Sequence, residues 1–123
     1  MTMREHEKLN YVEYAAFDLT QTKRFFTQVF NWQFTDYGPD YCDFTEQGID
    51  GGFYRADKKS VQAQGGALLV FYSNDLVQTR NKIVKAGGEV TQDIFDFPGG
   101  QRFHFTEPSG NEFAVWSDNK VDN

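Results

Sequence analysis

The sequence predicts an α+β protein: two tandem βαβββ modules forming a strongly curved mixed sheet, an incomplete barrel, with its helices on the outer face. Three observations carry this. The chain repeats itself, with "DLTQTK" at 18–23 returning as "DLVQTR" at 75–80 and "FTE" at 44–46 returning at 105–107. A period of about sixty residues, present twice, marks two copies of one supersecondary unit rather than a solenoid. Each repeat follows an alternating aromatic and β-branched run, and each precedes short strand-like segments split by turn residues.

The elements follow in order. Residues 1–8, "MTMREHEK", form a charged tail with no apolar core that a signal peptide would need. A single domain spans 9–118. Module one covers about 9–55, a linker 56–66 and module two about 67–118, with 119–123 a second tail. "NYVEYAAF" alternates and is the first strand. Asp18 caps a helix over 19–30, and Gln21 stands at the capping-box position. Leu19, Phe26, Val29 and Phe30 form its apolar stripe with Phe25 at the margin, and Asn31 suits a left-handed exit. Three strands follow at 33–37, 41–46 and 50–55, separated by Gly38-Pro39-Asp40 and Gly48. "ADKKSVQAQGG" is the polar linker. "ALLVFYS" opens module two. Asp75 and Gln78 repeat the cap pair, Leu76, Ile83 and Val84 the stripe, and Gly88 takes the slot of Asn31. Strands at 89–95, 101–106 and 112–117 complete the module, with turns at Pro98-Gly99-Gly100 and Pro108-Ser109-Gly110.

Composition narrows the function. The 123 residues carry a formal net charge of −6, which argues against nucleic acid, since phosphate binding needs a basic face. The longest apolar run, "ALLVFY", is far too short to span a bilayer, and a cytoplasmic, soluble chain is expected. The lone Cys42 excludes an intrachain disulfide and reads as a structural residue in a reducing compartment. Aromatics make up 17%, with 13 Phe, so some are expected to line a cavity.

The doubled unit, the strand–Asp-Leu–helix start, Phe30-x-Trp32, "KAGGEV" and "EPSGNEFAVW" resemble the vicinal oxygen chelate superfamily. That superfamily includes glyoxalases, extradiol dioxygenases, fosfomycin-resistance enzymes and bleomycin-resistance proteins. The resemblance covers roughly residues 9–118 and implies the fold, not the reaction. It also implies metal-ligand slots on four strands facing the concave side. These fall on Tyr11, Leu68 and Ala114, with the fourth on Tyr54, or on Phe53 if the register slips by one. None is His, Glu, Gln or Asp. A divalent metal needs converging imidazole or carboxylate ligands. The chain has only 2 His, one of them His6 in the tail. No metal and no cofactor are therefore expected, a divalent ion at an atypical site being the disfavoured alternative.

Alternation assigns the concave face. Tyr11 and Glu13 share it, with Ala15. Leu68, Val70 and Tyr72 share it on the second module's first strand, and Glu112, Ala114 and Trp116 on the last. Arg102, His104 and Thr106 are placed inside, with Phe103 and Phe105 under the helices. The expected ligand-binding set is Tyr11, Glu13, Tyr54, Leu68, Tyr72, Arg102, His104, Ala114 and Trp116, an aromatic wall with a few polar groups. Glu13, buried among aromatics, would need Arg102 or His104 as partner. Glu13 and His104 are the candidate acid or base should the chain be an enzyme of lyase, isomerase or dioxygenase type. The favoured reading is a metal-free small-molecule binder, expected as a homodimer; a structural partner with a filled concavity is the third.

Overall fold

A computed structural model describes residues 3–119 of the protein. The flanking residues 1–2 and 120–123, parts of the two tails, lie outside the described residues. The elements run β1 (Tyr11–Ala16), α1 (Leu19–Phe30), β2 (Phe34–Asp36), β3 (Tyr41–Phe44), β4 (Asp50–Arg55), a 3-10 turn (Gln62–Gln64), β5 (Leu69–Tyr72), α2 (Leu76–Lys85), β6 (Glu89–Phe97), β7 (Gly100–Thr106) and β8 (Glu112–Ser117). This is βαβββ twice, an α+β fold. The strands form two four-stranded mixed sheets, ordered β1-β4-β3-β2 and β5-β8-β7-β6, and no closed barrel. In each, the first strand of the module runs parallel to the last, and the remaining pairs are antiparallel.

The helices begin and end for local reasons. Asp18 accepts from the Gln21 N–H at 3.0 Å, and Asp75 from the Gln78 N–H at 3.1 Å. The reciprocal half of a capping box is absent from both. The Asp18 N–H donates to Ser109 Oγ and the Asp75 N–H to Ser73 Oγ instead. Asn31 closes α1 in the left-handed region at φ 59°. In module two that conformation falls on Gly87, at φ 98°, not on Gly88, because α2 has 10 residues against the 12 of α1. The repeat extends to ion pairs that the sequence motif did not mark: Lys23 to Asp36 and Arg80 to Asp93, each at 2.7 Å and at equivalent positions of the two modules.

One aromatic core serves both modules. Phe25, Phe26, Phe44, Phe53, Phe103, Phe105 and Phe113 are almost fully buried. Helix α1 packs on both sheets at once: Phe26 stacks on Phe53 and Trp32, meets Phe113 edge-on, and Phe30 stacks on Phe71 at 4.2 Å. A buried Phe contributes about 2–3 kcal/mol by area, so these rings dominate cohesion. Most of the aromatic excess is therefore core rather than cavity wall. Phe25 is central, not marginal, and Thr22 and Thr79 share the buried faces of their helices. Val84, expected in the stripe of α2, is 55% exposed; the buried line there is Leu76, Thr79 and Ile83.

A buried polar latch ties the modules where "EPSGN" turns between β7 and β8. Glu107, 2% exposed, accepts from Thr22 Oγ1 at 2.6 Å, from the N–H groups of Ser109 and Asn111, and from Asn111 Nδ2. Asn111 Nδ2 also donates to the Ala15 carbonyl of β1 at 2.7 Å, and its Oδ1 accepts from the Ser60 N–H of the linker. Burial pushes the Glu107 carboxyl above its ordinary range, against the Thr22, Ser109 and Asn111 donors that pull it down.

Candidate functional site

The face of each sheet that turns away from the aromatic core can be read row by row from the register. On the second sheet one row is Tyr72–Trp116–Arg102–Phe95, and the next is Val70–Ala114–His104–Gln92. Glu112 and Thr106 follow. The interleaved residues, Phe71, Val115, Phe103, Phe105 and Phe113, all go to the core, so Arg102 and His104 share the outward face as alternation requires. On the first sheet the corresponding face holds Tyr11, Glu13, Ala15, Tyr41, Asp43, Gly52 and Tyr54. Phe53 is fully buried on the other side, and Tyr54 shares the face of Tyr11.

Nine residues were expected to make one site; they fall into groups. Tyr11, Glu13 and Tyr54 belong to the first sheet. Glu13 is exposed, not buried, and accepts from Tyr41 Oη at 2.9 Å. Tyr41 Oη in turn lies 2.5 Å from Tyr11 Oη, over Gly52, where a Cβ would collide with both hydroxyls. Burial and the Tyr11 and Glu13 contacts hold the Tyr41 phenol well above its ordinary range. The expected pairing of Glu13 with Arg102 or His104 is not formed: those two lie on the other sheet, where His104 bonds Arg102 and Glu112, and a phenol from β3, two strands from β1, meets the Glu13 carboxylate. Tyr41 had no alternation signal pointing to Glu13, since the link runs through β4, which lies between them.

Arg102, His104, Tyr72, Ala114 and Trp116 do come together on the second sheet. Leu68 does not sit on a strand: β5 starts at Leu69, because the chain is still leaving the turn in which the Gly66 N–H meets the Val61 carbonyl. His104 is 5% exposed and bonded at both ring nitrogens, to Arg102 Nη2 at 3.1 Å and to Glu112 Oε2 at 3.0 Å. A guanidinium only donates, so Nε2 accepts and Nδ1–H donates to Glu112. With both nitrogens committed, His104 positions Arg102 and presents no free nitrogen to a reacting atom. Burial would raise the Glu112 carboxyl, but the Gln62 N–H and His104 outweigh it and hold it below the ordinary range. The guanidinium of Arg102 lies 6.0 Å from the Phe95 ring centre. Trp116 meets Tyr72 edge-on at 5.1 Å and Phe97 at 6.2 Å.

The linker connects the two groups. Its Gln62 N–H reaches Glu112 at 2.8 Å, and residues from Lys58 to Gly66 face Glu13 and Tyr54 across a groove of about 380 Å³. A wider cleft, about 760 Å³, lies elsewhere, between Phe17, Pro39, Arg55 and Asp57. Of its polar groups, Asp18 caps α1 and Arg55 lies 3.6 Å from Asp40. A third cleft of about 490 Å³ runs between β5 and the Gln47–Gly48–Ile49 turn over the aromatic core.

The divalent metal of the superfamily does not fit these residues. Of the four slots, Leu68 and Ala114 have no donor atom in their side chains, and both ring nitrogens of His104 are engaged, one by Arg102 and one by Glu112. Among the described residues no three His, Cys, Asp or Glu side chains are grouped to hold a metal. Among the described residues no helix is long and apolar enough to cross a membrane.

Comparison with known proteins agrees with the architecture. The family described as glyoxalase/bleomycin resistance protein/dioxygenase superfamily matches residues 8–115. No curated protein matches the chain. Among solved structures, a glyoxalase-related enzyme from Fulvimarina pelagi is similar with a TM-score of 0.76 at 15% identity, covering 90% of this chain and 88% of that one. A glyoxalase/bleomycin resistance protein/dioxygenase family enzyme from Burkholderia phytofirmans PsJN gives 0.76 at 15%, covering 91% and 99%. Lactoylglutathione lyase from Agrobacterium tumefaciens gives 0.67 at 16%, covering 93% and 96%. At these identities the likeness shows the fold alone.

Proposed function

The chain belongs to the glyoxalase/bleomycin resistance protein/dioxygenase superfamily, and from that premise we propose that it is a metal-free binder of a small, partly aromatic molecule on the outward face of the β5–β8–β7–β6 sheet. One observation carries this: the row Tyr72–Trp116–Arg102–Phe95 sets three aromatic rings and a cation side by side on one sheet face, with the small Ala114 in the row behind. Tyr72 remains 50% exposed there. Rings bordering a few fixed polar groups are the usual make-up of a small-molecule site. The fully bonded His104 and the exposed Glu13 support binding over acid–base catalysis. A second copy of the chain is proposed to cover exposed apolar side chains of both sheets, since Val70 and Tyr72 of β5, Tyr11 of β1, Tyr54 of β4 and Tyr37 beyond β2 are all exposed in the single chain. A neutral probe tests the reading. 1-Naphthol should quench tryptophan emission saturably in the wild type. In Trp116→Phe, where only the buried Trp32 remains, the quenching should vanish. Quenching unchanged in Trp116→Phe, or absent from both at millimolar probe, would sink it.

A further inference from the structure

Arg102 stands out among the cations of this acidic chain. Among the described residues three Lys or Arg side chains are half-buried: Lys23, Arg80 and Arg102. Lys23 and Arg80 each hold an aspartate at 2.7 Å. Arg102 has no carboxylate partner among the described residues. It spends one N–H on His104, and its Nε is buried with no acceptor in reach. A half-buried guanidinium left in this state is costly, because desolvation removes water from donors that nothing replaces.

The carboxylates nearby are committed to other donors. Glu112 accepts from His104 and Gln62, Asp96 from Gln101, and Asp118 from Tyr72. Glu112 is one residue removed from direct contact: it orients His104, whose Nε2 can only accept and so holds the guanidinium in place. The charge on Arg102 is thereby fixed in position but not neutralised. Around it stand Trp116 and Phe95, its direct neighbours across β8 and β6. Planar donors beside aromatic faces suit a molecule with a flat apolar body and a carboxylate end.

We propose that the ligand of this face is an aromatic carboxylate, with its oxygens on Arg102 and its ring among Trp116, Tyr72 and Phe95. This rests on the binder reading given above and adds the charge of the ligand. The chain's net charge of −6 opposes an anion at long range, but salt screens that field beyond about 8–10 Å, whereas a contact with the half-buried Arg102 is screened far less.

Three probes of one shape separate the possibilities: 1-naphthoate, 1-naphthol and 1-naphthylmethylamine, each titrated against the full chain by tryptophan emission and by calorimetry. Naphthoate should bind at least about tenfold more tightly than naphthol, and the amine more weakly than either. Arg102→Met should lower naphthoate affinity by at least about tenfold and abolish its advantage over naphthol measured in the same variant. Arg102→Lys should restore part of the preference and so guards against a misfolded variant. If naphthol binds through Trp116 but naphthoate has no advantage, the binder reading stands and the assignment of the anion falls. If no probe binds, both fall. If Arg102→Met only dissociates a dimer and naphthoate binding is unchanged, Arg102 serves a partner's carboxylate and the assignment is overturned.

Discussion

Replacing Glu107 by Ala is the sharpest test of how the modules are joined. Four donor groups converge on this carboxylate. Two have other partners in the variant: Thr22 Oγ1 keeps Ser109 Oγ at 2.7 Å, and Asn111 Nδ2 keeps the Ala15 carbonyl. The N–H groups of Ser109 and Asn111 would be left unmet. At about 1–3 kcal/mol for each unmet buried donor, reduced by relief of the buried charge, the loss should be on the order of 3 kcal/mol. For a chain of this size that is a fall of about 10–15 °C in Tm. Chemical denaturation of Glu107→Ala, Thr22→Val and the double variant measures the coupling. Equal stability of Glu107→Ala and wild type within about 1 kcal/mol, or strict additivity with Thr22→Val, would refute the latch. The pH dependence has a definite sign. The folded carboxyl is raised above its unfolded value, so its favourable contribution is complete below the unfolded value and is lost as pH rises through the folded one. Relative to Glu107→Gln, the wild type should therefore be more stable at about pH 4 than at about pH 7.

Other outcomes follow from the same geometry. Cys42 is fully buried and desolvation pushes its thiol up to about 11, so a thiol reagent at neutral pH should react only on unfolding; rapid labelling of the native chain would contradict this. Purified protein should hold no stoichiometric Zn²⁺, Ni²⁺, Mn²⁺ or Fe²⁺, because Leu68 and Ala114 offer no ligand; elemental analysis showing about one metal per chain, lost on mutating outward-face residues, would overturn it. Light scattering at micromolar concentration should give a dimer, and a monomer would count against a second copy covering the exposed tyrosines.

The parts of this fold that depend on near neighbours were legible in the sequence. Asp18 and Asp75 cap helices because their partners are three residues on, and Arg102 and His104 share a face because strands alternate. What depends on distant neighbours was not. Glu107 reads as one residue of a turn, and its role exists only because Thr22, on another module, reaches it. Glu13 reads as a carboxylate in need of a cation, yet a phenol two strands away meets it and the side chain stays exposed on the face turned away from the core. Val84 fits an apolar pattern, but Thr79 takes the buried line because its hydroxyl has Ser73 Oγ at 2.7 Å. The unpaired state of Arg102 was likewise invisible until each nearby acid could be matched to its donor.

The central claim is that a small molecule occupies the outward face of the second sheet. Amide and indole chemical-shift mapping of the full chain with 1-naphthoate tests it most directly. The account predicts shifts at Arg102, Ala114 and the Trp116 indole, falling off through Tyr72 and Val70 and leaving Phe17, Asp40 and Arg55 unmoved. Shifts gathered instead around Phe17, Asp40 and Arg55, or around Trp32, Phe44 and Ile49, would place any ligand in another cleft and contradict it.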